Sequence, residues 1–371
     1  MNLLDKTLDS LTQHFQLHYK KGKYHARALI REIIKNGNRN PETIPELVAS
    51  PEFLRQLSSS GELDSFLPLP DIVEICTENL DNEICAENNQ INNSHQDRTI
   101  KFVSRLQDGQ HIESVIIPMK QYNTLCVSTQ VGCRMGCLFC ATGASGFQRD
   151  LTTSEITSQL FNARFILKKS IKNIVFMGMG EPLDNLDHLI QSIAVLNEPH
   201  GFDIAHRHMT ISTCGLVPRI YELAASLIKP CLTRPNLAVS INSADQEIRS
   251  SLMPINRKYP LAQLRKALLE WPVTDRQLIL IEYILFKNLN DSQEDARKLA
   301  DYLAGLKVRV NLIGYNYANN RNRSISLQPV EDSDIHKFAS YLEKYGIFVV
   351  KRWGKGANFK AGCGQLSAKK E

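Results

Sequence analysis

The chain has 371 residues, of which 43% are hydrophobic and 22% charged, with 44 basic side chains against 39 acidic ones and nine cysteines. That balance excludes global disorder and fits two or three domains, or one large domain with an extension. No run of about 18 apolar residues predicts a membrane span, and no apolar signal region follows Met1, so a cytoplasmic protein is expected. In a reducing compartment nine thiols do not make a disulfide framework, and an odd number cannot all pair. Some of them are expected to be ligands or reagents.

In chain order, residues 1–35 read as helical, with Leu3, Leu4, Leu8 and Leu11 and then Ala28, Leu29, Ile30, Ile33 and Ile34 on apolar faces. Shorter helices are expected around 45–57 and 70–80, and the polar run Glu87–Ser94 reads as a linker. Alternating residues over 99–106 and 110–117 flank Asp108-Gly109, a strong hairpin signal. From about residue 124 the pattern becomes strands alternating with helices. The expected strands are Leu125–Ser128, Asn173–Gly178, His208–Thr213, Asn236–Ile241, Gln277–Leu285 and Arg309–Gly314. Helices are expected near 154–169, 185–197, 216–228, 260–271, 291–305 and 331–345, and Thr152-Thr153-Ser154-Glu155 is a capping box opening the first. Six βα units predict an α/β fold with a parallel sheet curling into a partial (βα)6 barrel, preceded by an N-terminal helical domain and a β-hairpin extension. Chemistry then belongs at the C-terminal ends of the strands.

Charge is unevenly spread. Residues 1–40 carry +5, residues 41–100 carry −10, and the remainder carries +10. A basic head and a basic body suggest a polyanion touching both ends of the chain, although charge blocks are more often solvated faces. His206 and His208 beside Arg207 read as a polar strand entrance and are given no metal role.

The most informative stretch is Cys133-Arg134-Met135-Gly136-Cys137-Leu138-Phe139-Cys140. Three thiolates at C-x3-C-x2-C follow the first barrel strand. A structural zinc site or a fully ligated four-iron cluster would want a fourth ligand. Three leave one metal corner open for a bound ligand that undergoes chemistry. Buried structural cysteines or a zinc knuckle are the plainer alternatives.

With an aromatic residue before its last cysteine, this loop resembles the cluster loop of the radical S-adenosylmethionine superfamily. Thr124–Cys133, Met177-Gly178-Met179-Gly180-Glu181-Pro182-Leu183 and Ala361-Gly362-Cys363-Gly364-Gln365-Leu366 are similar, in order, to the RlmN/Cfr family of radical S-adenosylmethionine RNA adenine methyltransferases. The resemblance covers roughly the last 260 residues. It implies a [4Fe-4S] cluster on Cys133, Cys137 and Cys140, and S-adenosylmethionine bound by Gly180, Glu181, Ser212, Ser240, Ile241, Asn242 and Asn316. Asn242 departs from the family's usual Ser-Leu-His, and Cys214 stands where serine is expected.

It further implies that Cys363 is first methylated, that the methyl then yields a hydrogen to the deoxyadenosyl radical and adds to the base, and that Cys126 resolves the adduct through a transient disulfide. Glu113 is placed as the proton acceptor. Read alone, Cys363 would be a frayed terminal thiol, Cys126 a core thiol and Glu113 an outward-facing strand residue. Cys76, Cys85, Cys214 and Cys231 are left as ordinary thiols. Implied partners are structured RNA (rRNA or tRNA) and an electron donor such as flavodoxin or ferredoxin, for a monomeric enzyme active in rRNA processing. Carbon 2 is favoured over carbon 8. The expected domains are 1–90 helical and RNA-binding, 99–120 hairpin, 121–350 barrel and 351–371 catalytic tail. Competing readings are a different radical enzyme of activase or methylthiotransferase type, and a non-catalytic iron–sulfur or zinc RNA-binding protein.

Overall fold

The computed structural model describes residues 1–78, 84–86, 98–227, 234–274, 277–316, 326–352, 360–362 and 364–367. The strands are β1 (Asp71–Thr77), β2 (Ile84–Ala86), β3 (Ile100–Arg105), β4 (His111–Pro118), β5 (Asn123–Cys126), β6 (Gln130–Gly132), β7 (Phe147–Asp150), β8 (Ile171–Phe176), β9 (Met209–Thr213), β10 (Asn236–Ser240), β11 (Ile279–Leu285), β12 (Val308–Gly314) and β13 (Val349–Arg352). Eleven of them form one sheet in the order β13-β12-β11-β10-β9-β8-β5-β4-β3-β1-β2. From β5 to β13 every pairing is parallel, and the strands follow in sequence order, as in a barrel wall built from βα units. From β5 toward β2 every pairing is antiparallel. The hairpin is thus not an appendage, because β4 pairs directly with the first barrel strand and continues its sheet.

Helices lie at 153–161, 186–197, 217–226, 261–270, 293–303 and 332–344, each between successive parallel strands. Their apolar residues, among them Ile156, Leu160, Leu189, Ile193, Leu264, Leu299 and Phe338, are buried against the sheet. The capping box is formed: Thr152 Oγ1 accepts the Glu155 N–H, and the Glu155 carboxylate accepts the Thr152 N–H. Beyond the six expected units, Val349–Arg352 adds a seventh parallel strand beside β12. Its short apolar start is easily lost in the end of the preceding helix.

The helical expectation for 1–35 resolves into Leu8–Tyr19 and Lys23–Leu29, the second running on as a π-helix over Ile30–Lys35, with a break where Lys20 takes a left-handed conformation. These helices rest on the barrel: Thr157 Oγ1 donates to Leu4 O and Leu8 N–H to the Glu198 carboxylate. The short helix expected around 70–80 is instead β1. Its β-branched residues Ile72, Val73 and Ile75 favour extended chain, and β3 offers an edge to pair with. The linker Glu87–Ser94 and Cys231 lie outside the described residues.

Candidate active site at the C-terminal ends of the parallel strands

The cysteine loop begins where β5 ends. A two-stranded ribbon of β6 and β7 frames it, and Cys133 N–H donates to Gly146 O across the ribbon at 3.2 Å. Gly132 has a φ of 76°, and a Cβ there would lie 1.7 Å from Gly146 O, so no side chain fits. The other side of the loop leans on helix 246–252, with Leu138 N–H donating to Leu252 O at 2.9 Å. Cys133 and Cys137 are buried and Cys140 is partly exposed. Burial, with Cys140 adding to it, pushes the Cys133 thiol up to about 12, and burial pushes Cys137 well above the ordinary range. A bound cation favours the thiolate form of such thiols, which is the chemistry of a thiolate-bound iron centre. Among the described residues no three ligating side chains converge as a single-ion site would require. The donor set fits a multi-iron cluster, whose thiolates bind separate iron atoms.

Gly178-Met179-Gly180-Glu181 follows β8. Its glycines serve a close approach to the chain after β5: a Cβ at Gly178 would lie 2.7 Å from Val127 O, and one at Gly180 2.6 Å from Gln130 Cβ. Met179 O accepts from Thr129 N–H and Gln130 N–H, so the two segments are laced together. Glu181 is buried, and its carboxylate accepts Cys214 N–H at 2.8 Å and Leu183 N–H at 3.2 Å. Burial raises its carboxyl above the usual range, offset in part by those donors.

Ser212 lies on β9 and donates to Phe176 O, and Ser240 closes β10. Ile241 and Asn242 are fully buried. Asn242 has a φ of 58°, which asparagine tolerates. Its Oδ1 accepts Ile284 N–H at 2.9 Å, so this side chain ties the loop after β10 to β11. Asn316 follows β12 and lines a cavity of about 370 Å3 that Cys126, Met177, Lys351, Arg352 and Gly362 also line.

Glu113 is buried, not outward-facing. It sits on the cavity side of β4, with Lys101 Nζ 3.6 Å from Oε1 and both side chains under a tenth exposed. Val115, two residues on, pairs with Cys126 on β5, so Glu113 and Cys126 share one face of the sheet. The tail folds back over this face. Ser367 N–H donates to Glu113 Oε2 at 3.0 Å, Ala141 N–H to Gly364 O at 2.7 Å, and Thr142 Oγ1 to Leu366 O at 2.5 Å. Cys363 itself lies outside the described residues, as do Asn358, Phe359 and Lys355.

A sequence profile of the radical SAM superfamily matches residues 127–300. Over 366 residues the chain is 38% identical to the probable dual-specificity RNA methyltransferase RlmN 1 of Protochlamydia amoebophila, spanning 99% of this chain and 94% of that protein. The chain belongs to the RlmN family of radical SAM RNA methyltransferases. The RlmN of Syntrophotalea carbinolica is 44% identical over 275 residues, 74% of this chain and 71% of that one. A crystal structure of a radical SAM methyltransferase from Sphaerobacter thermophilus superposes with a TM-score of 0.82 at 31% identity, over 100% of both chains. The non-catalytic reading and the activase reading give way to a methyltransferase.

In this RlmN-family enzyme three site residues escaped the sequence reading. Gln130 accepts Glu181 N–H and donates to Asp150 and Asp184, joining the two motifs. Lys101 is the cation beside Glu113, and Arg249 is a fully buried guanidinium behind the cysteine loop. No periodicity marks Gln130 or Arg249. A lysine in the middle of an apolar strand is a signal that can be read for Lys101.

Proposed function

We propose that the enzyme methylates a ring carbon of an adenosine, carbon 2 in preference to carbon 8, in structured rRNA or tRNA, by way of a methylated Cys363. The observation that supports it most is the tail. Gly364 packs on the cysteine loop and Ser367 on Glu113, beside the cavity that Cys126, Ala361, Gly362 and Leu366 line. A carrier thiol, a resolving thiol and a carboxylate belong within reach of one substrate for such a relay.

Cys133, Cys137 and Cys140 would hold a [4Fe-4S] cluster, and Glu181, Ser212, Ser240 and Asn316 would hold S-adenosylmethionine with its ammonium at Glu181. When bound and reduced by a donor such as flavodoxin or ferredoxin, the cluster supplies the electron that opens radical chemistry at an unactivated C–H bond. The chain's own groups do the rest. Cys363 Sγ carries the carbon to the base, Glu113 accepts the proton lost from the ring carbon, and Cys126 Sγ displaces the product by bonding to the sulfur of Cys363. Lys101 Nζ, 3.6 Å from Glu113 Oε1, supplies the positive charge beside that carboxylate. Residues 1–90 would select the RNA with Lys20, Lys21 and Lys23, and Lys351 and Arg352 would meet its backbone at the cavity, with the acidic 41–100 segment turned away. Monomeric action in the cytoplasm completes the reading.

The test is anaerobic reconstitution with dithionite, S-adenosylmethionine and RNA. Wild type should release deoxyadenosine and methylate adenosine, and Cys126→Ala should accumulate a covalent protein–RNA adduct. Absence of the adduct would refute the thiol relay. Mapping the methylated nucleotide in total RNA from a knockout identifies the substrate and the carbon.

A further inference from the structure

Arg249, on helix 246–252, is fully buried. Its Nε donates to Ile241 O at 3.1 Å, Nη1 to Asn256 Oδ1 at 2.6 Å, and Nη2 to Cys214 O at 2.8 Å and Ser240 O at 3.1 Å. All four acceptors are neutral, and none of the ion pairs among the described residues includes Arg249. Burying a cation without an opposite charge is costly, far beyond what tying three carbonyls together requires. Its surroundings name the missing charge. The last carbonyl of the same helix, Leu252 O, accepts Leu138 N–H between Cys137 and Cys140. Cys214, whose carbonyl takes Nη2, gives its N–H to Glu181. Arg249 is therefore wedged between the C-terminal ends of β9 and β10 and the cysteine loop.

We propose that Arg249 is a positioning residue whose buried cation offsets the negative charge of the thiolate-bound cluster and raises its reduction potential, while its donors fix the cofactor-facing ends of β9 and β10. This rests on the reading that Cys133, Cys137 and Cys140 carry a cluster. The step affected is the gain of one electron by the cluster, supplied in the test by dithionite. A neighbouring positive charge favours the more negative, reduced state, and the low-dielectric interior preserves the effect.

The test is a redox titration of the reconstituted full chain, followed by the electron paramagnetic resonance signal of the reduced cluster. Asn256→Asp keeps an oxygen acceptor for Nη1 and adds one negative charge beside the guanidinium. It should lower the reduced-to-oxidised ratio at a fixed potential by about tenfold, about 59 mV for a one-electron couple. Arg249→Met should fall about as far, while Arg249→Lys, which keeps the charge and loses the fork, should stay within about twofold of wild type. The Arg249→Lys and Arg249→Met pair decides the matter if Asn256→Asp fails to load iron, since its loss of the Asn256 Nδ2 bond to Gln246 O can disturb the helix. An unshifted ratio in an iron-loaded Asn256→Asp, or an Arg249→Lys variant as low as Arg249→Met, would overturn the proposal. Wild type with no cluster signal at all would overturn the cluster reading first, and this inference with it.

Discussion

Gly132→Ala separates the role of the β6–β7 ribbon in shaping the cysteine loop from its role in stability. An alanine at φ 76° costs about 1–2 kcal/mol for the left-handed backbone alone. Its Cβ would lie 1.7 Å from Gly146 O, where ordinary contact begins near 3.4 Å, so the ribbon must part by about 1.7 Å. That movement breaks the Cys133 N–H bond to Gly146 O, about 1 kcal/mol more. The total is about 2–3 kcal/mol before any residual overlap, and the displacement falls on the first thiol of the triplet. Gly109→Ala is the control: its φ is 80°, but nothing lies within 4 Å of the added carbon. Urea unfolding of the iron-free protein should show Gly109→Ala down by about 1 kcal/mol and Gly132→Ala by more than twice that. Iron and sulfide content after anaerobic reconstitution should be normal in Gly109→Ala and severalfold lower in Gly132→Ala. A Gly132→Ala variant that loads iron like wild type would refute the claim that this contact sets the loop.

Gln159→Leu should cost about 3–5 kcal/mol in urea unfolding, because Ser128 N–H, Ser128 O and Ser114 Oγ all lose their buried partner. A loss below about 1 kcal/mol would mean that other groups take over. Glu113→Gln keeps an oxygen for Ser367 N–H and should lower methylation by about 10²–10⁴-fold with RNA affinity unchanged; unchanged turnover removes Glu113 from the mechanism. Replacing Lys20, Lys21 and Lys23 by alanine should weaken RNA binding and reduce the salt slope of the affinity by about 2–3. An unaltered slope leaves the basic head without a role.

The barrel was legible because six of its parallel strands are short apolar runs, each followed by a helix, some opened by a clear start signal, as at Thr152 and Ser292. The cysteine triplet was legible as a local motif. What sequence did not carry is contact made at long separation by single hydrogen bonds. Asn242 in place of the family's histidine looks like a weakened cofactor contact, whereas its buried amide bridges to β11, a role set by a backbone φ that no spacing reveals. Glu113 alternates along β4 as an exposed residue would, and its burial depends on Lys101 and on a tail 254 residues away.

The tail also constrains how the reaction can proceed. Of Glu113's two carboxylate oxygens, Oε1 faces Lys101 and Oε2 accepts Ser367 N–H. A carboxylate can take a proton from a base only through a lone pair open to that base. Lys101 is fixed in a buried strand, so in the proposed relay Oε2 would be the oxygen that substrate wins from the tail. Among the described residues the tail's anchors include the Thr142, Ala141 and Ser367 hydrogen bonds, worth about 1 kcal/mol each, and the burial of Leu366, worth about 2 kcal/mol. In the proposed relay, the hydrogen bond from Ser367 N–H would cover the proton acceptor until RNA displaces the tail, so that base entry and the uncovering of Glu113 would be one event.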